Sequence, residues 1–280
     1  MQEWFSLLGR ETALGAAEVA ALSPQATLTI TASILRGTGV IPDWDRCGSI
    51  VRAGKVLGSG PIQSAKDLAT TIVELIPAKD SKFVLGLSAP GMASPRYSNL
   101  CKAIKQAAVL TDRKVRIIRS QTGTVLNTGE LSHNGVMRKG AEFMIWEEKG
   151  HTFIGQVSWE QDVAAYAARD QARPARDARV GMLPPKLAQT LINLAQVPAD
   201  QTIYDPFCGT GVVLQESLRM SYTVGGSDLS ADMQKATKQN LAWYIEQYQL
   251  PEQDYSIKQA DARHLSSKSG ITAIVAEGYL

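Results

Sequence analysis

Three cysteines, three histidines and 6% aromatic residues among 280 positions leave little material for several chemistries. Cys47, Cys101 and Cys208 are odd in number and widely spaced, which argues against a disulfide scaffold and supplies no zinc-ligand pattern. Reduced thiols and no metal site are expected. No apolar run approaches the roughly 18 residues needed to cross a bilayer, and the opening Met1-Gln2-Glu3-Trp4 lacks the basic and apolar regions of a signal peptide. A soluble, cytoplasmic protein with no membrane partner is therefore expected, and nothing in the sequence speaks to its oligomeric state. Internal repeats and low-complexity tracts are also missing. What is present is an ordinary globular composition, 44% hydrophobic and 20% charged, over a length that suits one large domain or two.

The net charge of +2 conceals a gradient. Residues 1–150 carry 18 Lys and Arg against 13 Asp and Glu, whereas residues 201–280 carry 6 against 9. The densest basic stretch is Lys102, Lys105, Arg113, Lys114, Arg116 and Arg119, opposed only by Asp112. Such a stretch can neutralise phosphates, or it can be a solvated helix face followed by an exposed strand. A second cluster, Arg169, Arg173, Arg176 and Arg179, is interleaved with Asp170 and Asp177 and reads as self-paired.

Periodicity divides the chain. Residues 1–60 read as a strand at Trp4–Leu8, an alanine-rich helix capped by Thr12, and a β-rich stretch from Ala26 to Leu35. Residues 61–160 alternate helix and strand, then close on a hairpin turned at Glu148-Lys149-Gly150. Residues 161–183, rich in Ala, Arg, Asp and Pro, read as a linker. A helix starting at Pro184-Pro185, with Leu187, Leu191, Ile192 and Leu194 on one apolar face up to Pro198, and helical segments at Val212–Met220 and Ala231–Tyr248 alternate with strands near Thr202–Tyr204, Thr223–Gly225, Ser256–Gln259 and Ile271–Val275. That pattern is the beginning of a Rossmann-like, parallel, doubly wound sheet, so the expected fold class is an α+β front followed by an α/β domain over 184–280.

The sharpest motif lies between the first of these strands and the next helix: Asp205-Pro206-Phe207-Cys208-Gly209-Thr210-Gly211. Gly209 and Gly211 let the backbone approach a ligand at the edge where open α/β sheets bind nucleotides. No Gly-Lys-Ser/Thr follows and the third glycine of a dinucleotide fingerprint is absent, so neither phosphate-binding pattern applies. An acid before the glycines suits a ligand bearing an amino-acid group. Asp228, 23 residues after Asp205 at the end of the second strand, can accept both ribose hydroxyls, and Asp261 after the third can meet an adenine amine. Asp205, Phe207, Gly209, Gly211, Asp228 and Asp261 together describe a pocket for S-adenosyl-L-methionine.

With these residues in place, the sequence resembles the THUMP-containing tRNA guanine-N2 methyltransferases that modify guanosine 10. The likeness is strongest from Asp162 to Gly211, DVAAYAARDQARPARDARVGMLPPKLAQTLINLAQVPADQTIYDPFCGTG, where RDARVGMLPPKLA is more specific than the glycine loop. It implies a class I methyltransferase domain over 184–280, a ferredoxin-like segment over 1–60 and an RNA-binding THUMP-like domain over 61–160, including SQTGTVLNTGELSHNGV at 120–136. It also implies a tRNA partner, with the basic stretch 102–119 as RNA surface. Related amino-methyltransferases place Asp/Asn-Pro-Pro-Tyr/Phe after the fourth strand, its oxygens accepting the amine hydrogens and its ring stacking the base. Here Glu277-Gly278-Tyr279-Leu280 stands at that place, which makes Glu277 and Tyr279 the candidate catalytic residues. With about four of the usual seven strands after Thr202, an incomplete C-terminal sheet is expected. Two alternatives stay open: a non-catalytic tRNA-binding protein on the same scaffold, and a methyltransferase for a protein or small molecule.

Overall fold

A computed structural model describes residues 2–77, 82–176, 183–251, 255–264 and 270–278. In chain order the first half contains β1 (Glu3–Leu8), α1 (Thr12–Leu22), β2 (Thr27–Thr31), β3 (Ile34–Thr38), β4 (Ile50–Pro61), α2 (Ala65–Glu74), β5 (Phe83–Ser88) and α3 (Ser94–Leu110). Then come β6 (Val115–Arg119), α4 (Thr128–Asn134), α5 (Val136–Lys139), β7 (Gly140–Glu148) and β8 (His151–Glu160). The remainder contains α6 (Val163–Gln171), α7 (Pro185–Leu194), β9 (Thr202–Asp205), α8 (Val212–Arg219), β10 (Thr223–Asp228), α9 (Ala231–Tyr248), β11 (Ser256–Gln259) and β12 (Ala273–Ile274). These elements form two compact units: Met1–Thr12, Gln25–Ile41 and Ile50–Glu160; and Ala13–Pro24, Pro42–Ser49 and Gln161–Leu280.

The first unit is a mixed eight-stranded sheet, ordered β2-β3-β1-β4-β8-β7-β5-β6 among the described residues. Its parallel part, β7-β5-β6, arises because α3 returns the chain to the same edge between β5 and β6. Helix α2 starts where the Ser64 hydroxyl accepts from the Asp67 N–H at 3.2 Å. Its Leu68, Ala69, Ile72 and Val73 then meet Leu100 and Ile104 of α3 over Leu85, Phe143 and Ile145. Strand alternation sends Met144 and Trp146 into another cluster with Phe5, Ile34 and Phe153. The buried Arg52 and Glu142 form an ion pair at 2.9 Å within this unit.

Among the described residues the second unit carries a four-stranded parallel sheet, ordered β11-β10-β9-β12. Both neighbours of β9 run parallel to it, so the carboxyl ends of all four strands lie along one edge. Ile203 and Val275 pack with Ala188 and Ile192 of α7 and Val212 and Val213 of α8, while Val224 and Ile257 pack with Leu214, Leu218 and Leu241.

Several expectations are corrected by this arrangement. Residues 1–60 and 61–160 are not separate sheets, because β4 pairs with β8 along most of its length. Segments 13–24 and 42–49 go instead with the second unit, where the buried Glu18 carboxylate accepts from Gly48 N at 2.9 Å, Ser49 N at 3.0 Å and Asn193 Nδ2 at 2.8 Å. The stretch from Ala26 to Leu35 is β-rich as expected, in two strands reversed at Ala32, whose φ is 53°. The expected linker, 161–183, contains α6, and its arginines are structural: buried Arg169 donates from Nε to Glu216 at 2.8 Å, and Arg173 pairs with Asp170 at 3.0 Å. Charge hid an interior role there, since both guanidinium groups are buried, Arg169 against the buried Glu216 and Arg173 against the partly exposed Asp170. Asp177 and Arg179 lie outside the described residues.

Candidate functional site

The chain leaves β9 at Asp205 and turns through the glycine loop into α8. Gly209 and Gly211 adopt φ of +51° and +87°, in the left-handed region. A side chain at Gly211 would also meet Thr237 Cγ2 at 3.0 Å. Backbone angle thus demands glycine at both positions, and space adds to that demand at Gly211. The loop is tied down on several sides: Gly209 N–H donates to Asp228 Oδ2 at 3.0 Å, Thr237 Oγ1 donates to Gly209 O at 2.7 Å, and Asn240 Nδ2 donates to Thr210 O at 2.8 Å.

Asp205 is 3% exposed, and its Oδ1 accepts from Phe207 N at 2.9 Å. Among the described residues no lysine or arginine forms an ion pair with it. Burial pushes its carboxyl pKa up to about 7; the Phe207 amide opposes the shift, and the negative charges of Asp228 and Glu277 add to it. The parallel register sets Gly226 opposite Asp205 and Ile274 opposite Tyr204, so Asp228 and Glu277 leave flanking strands on the same edge. The structure thus brings Asp205, Asp228, Glu277 and the two glycines to one place.

Other candidates divide. The Asp228 side chain also accepts from Ser230 N at 2.9 Å, and its own backbone carbonyl accepts from Ala260 N at 3.0 Å, which sets Asp261 at the adjoining strand tip. Asp261, however, spends its oxygens on Arg263, whose Nη2 lies 2.6 Å away, and this hydrogen-bonded pairing holds its pKa well below the carboxylate range. An adenine amine would have to compete with that guanidinium. Phe207 is 51% exposed beside the loop. Glu277 is exposed, and Tyr279 lies outside the described residues.

The basic candidates occupy the first unit. Lys102 and Lys105 are exposed on α3, and Lys114, Arg116 and Arg119 are exposed at or along the edge strand β6. Arg116 donates to Asn134 Oδ1 at 3.0 Å. Arg113 is half-buried and donates from Nη1 to the carbonyl of Ile76, so it serves the fold at the end of α2. A cleft of about 760 Å³ opens beside Arg119, lined also by Ser94, Ser98, Gln121 and Asn134. No group of histidine, cysteine or carboxylate side chains able to hold a metal occurs among the described residues. In the same residues no helix is long and apolar enough to cross a membrane.

Residues 173–277 match the UPF0020 family model, described as RMKL-like, methyltransferase domain. Those residues are similar to a methyltransferase domain. Over 97 residues the chain is 37% identical to the tRNA (guanine(10)-N2)-dimethyltransferase of Methanothermobacter thermautotrophicus, covering 35% of this chain and 27% of that protein. Over 80 residues it is 39% identical to the enzyme of the same name from Pyrococcus abyssi, covering 29% of this chain and 22% of that one. The matched part is thus about a quarter of these relatives' own length. Among solved structures, TrmN from Thermus thermophilus is 15% identical with a TM-score of 0.53, over 94% of this chain and 74% of that one. SMU.472, complexed with SAH, is 11% identical with a TM-score of 0.52, over 99% and 80%. At such identities the likeness is one of fold, that of class I methyltransferases.

Thr237 and Asn240 escaped the reading of the sequence. The available signal was two small polar residues three apart on α9, on the helix side that also carries Leu241 and Tyr244 into the interior.

Proposed function

We propose that this chain belongs to an S-adenosyl-L-methionine-dependent tRNA methyltransferase acting on the exocyclic N2 of a guanosine, at position 10. One observation carries the proposal: a buried carboxylate with no cationic partner among the described residues stands at a strand tip beside a glycine loop. A donor with an ammonium and a sulfonium fits that vacancy of positive charge, whereas a dinucleotide, with its phosphates, does not. The domain match and the named relatives favour the same reading.

In this reading Asp205 takes the donor's ammonium, Asp228 uses its remaining lone pairs for the ribose hydroxyls, and Gly209 and Gly211 admit the donor close to the backbone. Phe207 flanks it, and Asp261 is assigned to the adenine. The donor supplies a methyl group on sulfonium sulfur. The guanine amine is a weak nucleophile because its lone pair is delocalised into the ring. Glu277, three residues beyond the end of β12, accepts an amine hydrogen and so orients that lone pair for in-line displacement. As carbon–nitrogen bond formation breaks the carbon–sulfur bond, nitrogen gains positive charge, and its proton passes to Glu277 or water. Tyr279 is assigned to base stacking from its sequence position. The first unit is read as ferredoxin-like plus THUMP-like, with Lys102, Lys105, Lys114, Arg116 and Arg119 contacting phosphates, and Arg113 supporting that face.

The test is to incubate the natural chain with labelled S-adenosyl-L-methionine and unmodified tRNA and to analyse the nucleosides by mass spectrometry. N2-methylated guanosine is expected. Absence of any methylated guanosine across a range of tRNAs overturns the catalytic assignment. A second reading, a tRNA-binding protein on a methyltransferase scaffold, draws on Glu277-Gly278 standing where related enzymes carry Asp/Asn-Pro; tRNA affinity without donor binding in calorimetry selects it.

A further inference from the structure

The side chains that shape the glycine loop come largely from outside it. Helix α9 presents Thr237 and Asn240, both fully buried, to consecutive carbonyls of Gly209 and Thr210. With Gly209 N–H held by Asp228, both polar backbone groups of this residue are fixed. Asn240 does more. Its Nδ2 also donates to Ala175 O at 2.9 Å, while its Oδ1 accepts from Ala175 N at 2.9 Å. One buried carboxamide therefore joins the loop to the chain at Ala175. Arg173 reinforces that junction, donating toward Thr210 Oγ1 at 3.4 Å.

We infer that Thr237 and Asn240 are positioning residues of the donor site, and that Asn240 couples the glycine loop to residues 173–176, so that donor binding and order at Ala175 strengthen one another. The inference rests on the donor-binding reading above, but the geometry beneath it does not. A carbonyl drawn toward α9 turns its peptide plane, and with it the amide of the next residue. Losing that tether frees the loop to adopt orientations that do not receive a donor, so affinity falls by the fraction of molecules left competent. Because coupling is reciprocal, a ligand that fixes the loop also fixes whatever shares Asn240.

The experiment uses S-adenosylhomocysteine as probe. Thr237→Val, which removes a single donor at constant shape, should weaken its binding on the order of tenfold in calorimetry. Thr237→Ser, which keeps the hydroxyl, should restore binding to within about twofold, and RNA affinity should be unchanged in both. Saturating S-adenosylhomocysteine should slow amide exchange at Ala175 in the wild type, and Asn240→Ser should abolish that slowing. Wild-type affinity in Thr237→Val, equal weakness in Thr237→Val and Thr237→Ser, or exchange at Ala175 indifferent to the ligand would each overturn the inference. If the wild type binds no S-adenosylhomocysteine, the donor-site reading fails by itself. Exchange at Gly211 in the ligand-free protein then decides the tether: faster in Thr237→Val supports it, unchanged refutes it.

Discussion

Glu142 in the first unit and Asp205 in the second are both buried carboxylates, and their surroundings treat them in opposite ways. Through one oxygen Glu142 meets the Arg52 guanidinium at 2.9 Å and the Ser88 hydroxyl, partners that oppose the upward push of burial on its pKa without cancelling it. Asp205 meets one backbone amide, and the charges that act on its carboxyl are those of two more acids, Asp228 and Glu277. Glu216 serves as an internal control, since it is a buried acid of the second unit that does have its arginine, Arg169, at 2.8 Å. The second unit thus neutralises a buried acid where packing requires it and leaves one bare at the edge of its sheet. A bare buried charge is costly to the fold, so its presence at a strand tip points to a ligand that completes it.

The same chemical substitution should therefore act with opposite sign in the two units. Glu142→Gln leaves Arg52 buried without its counter-charge, and the first unit should lose about 3–5 kcal/mol in denaturant unfolding. Asp205→Asn should instead stabilise its unit at pH 8, because the raised carboxyl pKa means the unfolded chain loses that proton first. The penalty is absent below the ordinary aspartate range, grows as pH rises toward 7 and is then constant. The Asn variant should show no such decline. If Asp205→Asn is as destabilising as Glu142→Gln, the contrast between the units is false.

Asp205→Asn should also weaken S-adenosyl-L-methionine binding on the order of a hundredfold, as expected for an ion-paired hydrogen bond lost in a buried site. In the wild type, binding a cation requires Asp205 to be ionised. Below a free-protein pKa of about 7, affinity should fall by about tenfold per pH unit toward acid, and above it level off. Calorimetry in buffers of different ionisation enthalpy would reveal the released proton. A flat profile from pH 5.5 to 8 would remove Asp205 from the donor site.

Much of the second unit was legible in the sequence, and the illegible part of the molecule has a physical pattern. The second unit's alternation of strands and helices, the glycine loop and the acids at successive strand ends follow local rules of periodicity and turn chemistry, and the four strands after Thr202 are present. The failures are long-range. Strand β4, IVRAGKVLGSGP, has four glycines and prolines and no clean alternation, yet it is held by neighbours on both sides, β1 and β8. Arg169 and Arg173 read as paired within their own cluster, which holds for Arg173 with Asp170, whereas Arg169 finds Glu216, 47 positions away. The cap at Asn127 and Glu130, which starts α4, was within reach of a local reading but lay in a stretch read only for its family likeness.

The smallest effect concerns the basic face, where the structure separates residues that the sequence grouped. Lys102 and Lys105 are exposed on α3, while Arg113 donates to the carbonyl of Ile76. An exposed lysine near RNA acts through displaced counterions, so Lys102→Ala should lower tRNA affinity severalfold and shallow the log–log salt dependence by roughly one unit. Lys105→Ala should do the same, and the pair should add because each neutralises a different phosphate. Arg113→Ala should leave that slope near its wild-type value and cost about 1–2 kcal/mol in stability through the carbonyl it abandons. Measuring binding at several salt concentrations distinguishes the two classes, since a change in folding shifts apparent affinity equally at all of them. Equal slopes for Lys102→Ala and wild type would mean that α3 does not face the nucleic acid, leaving β6 with Arg116 and Arg119 as the remaining basic edge.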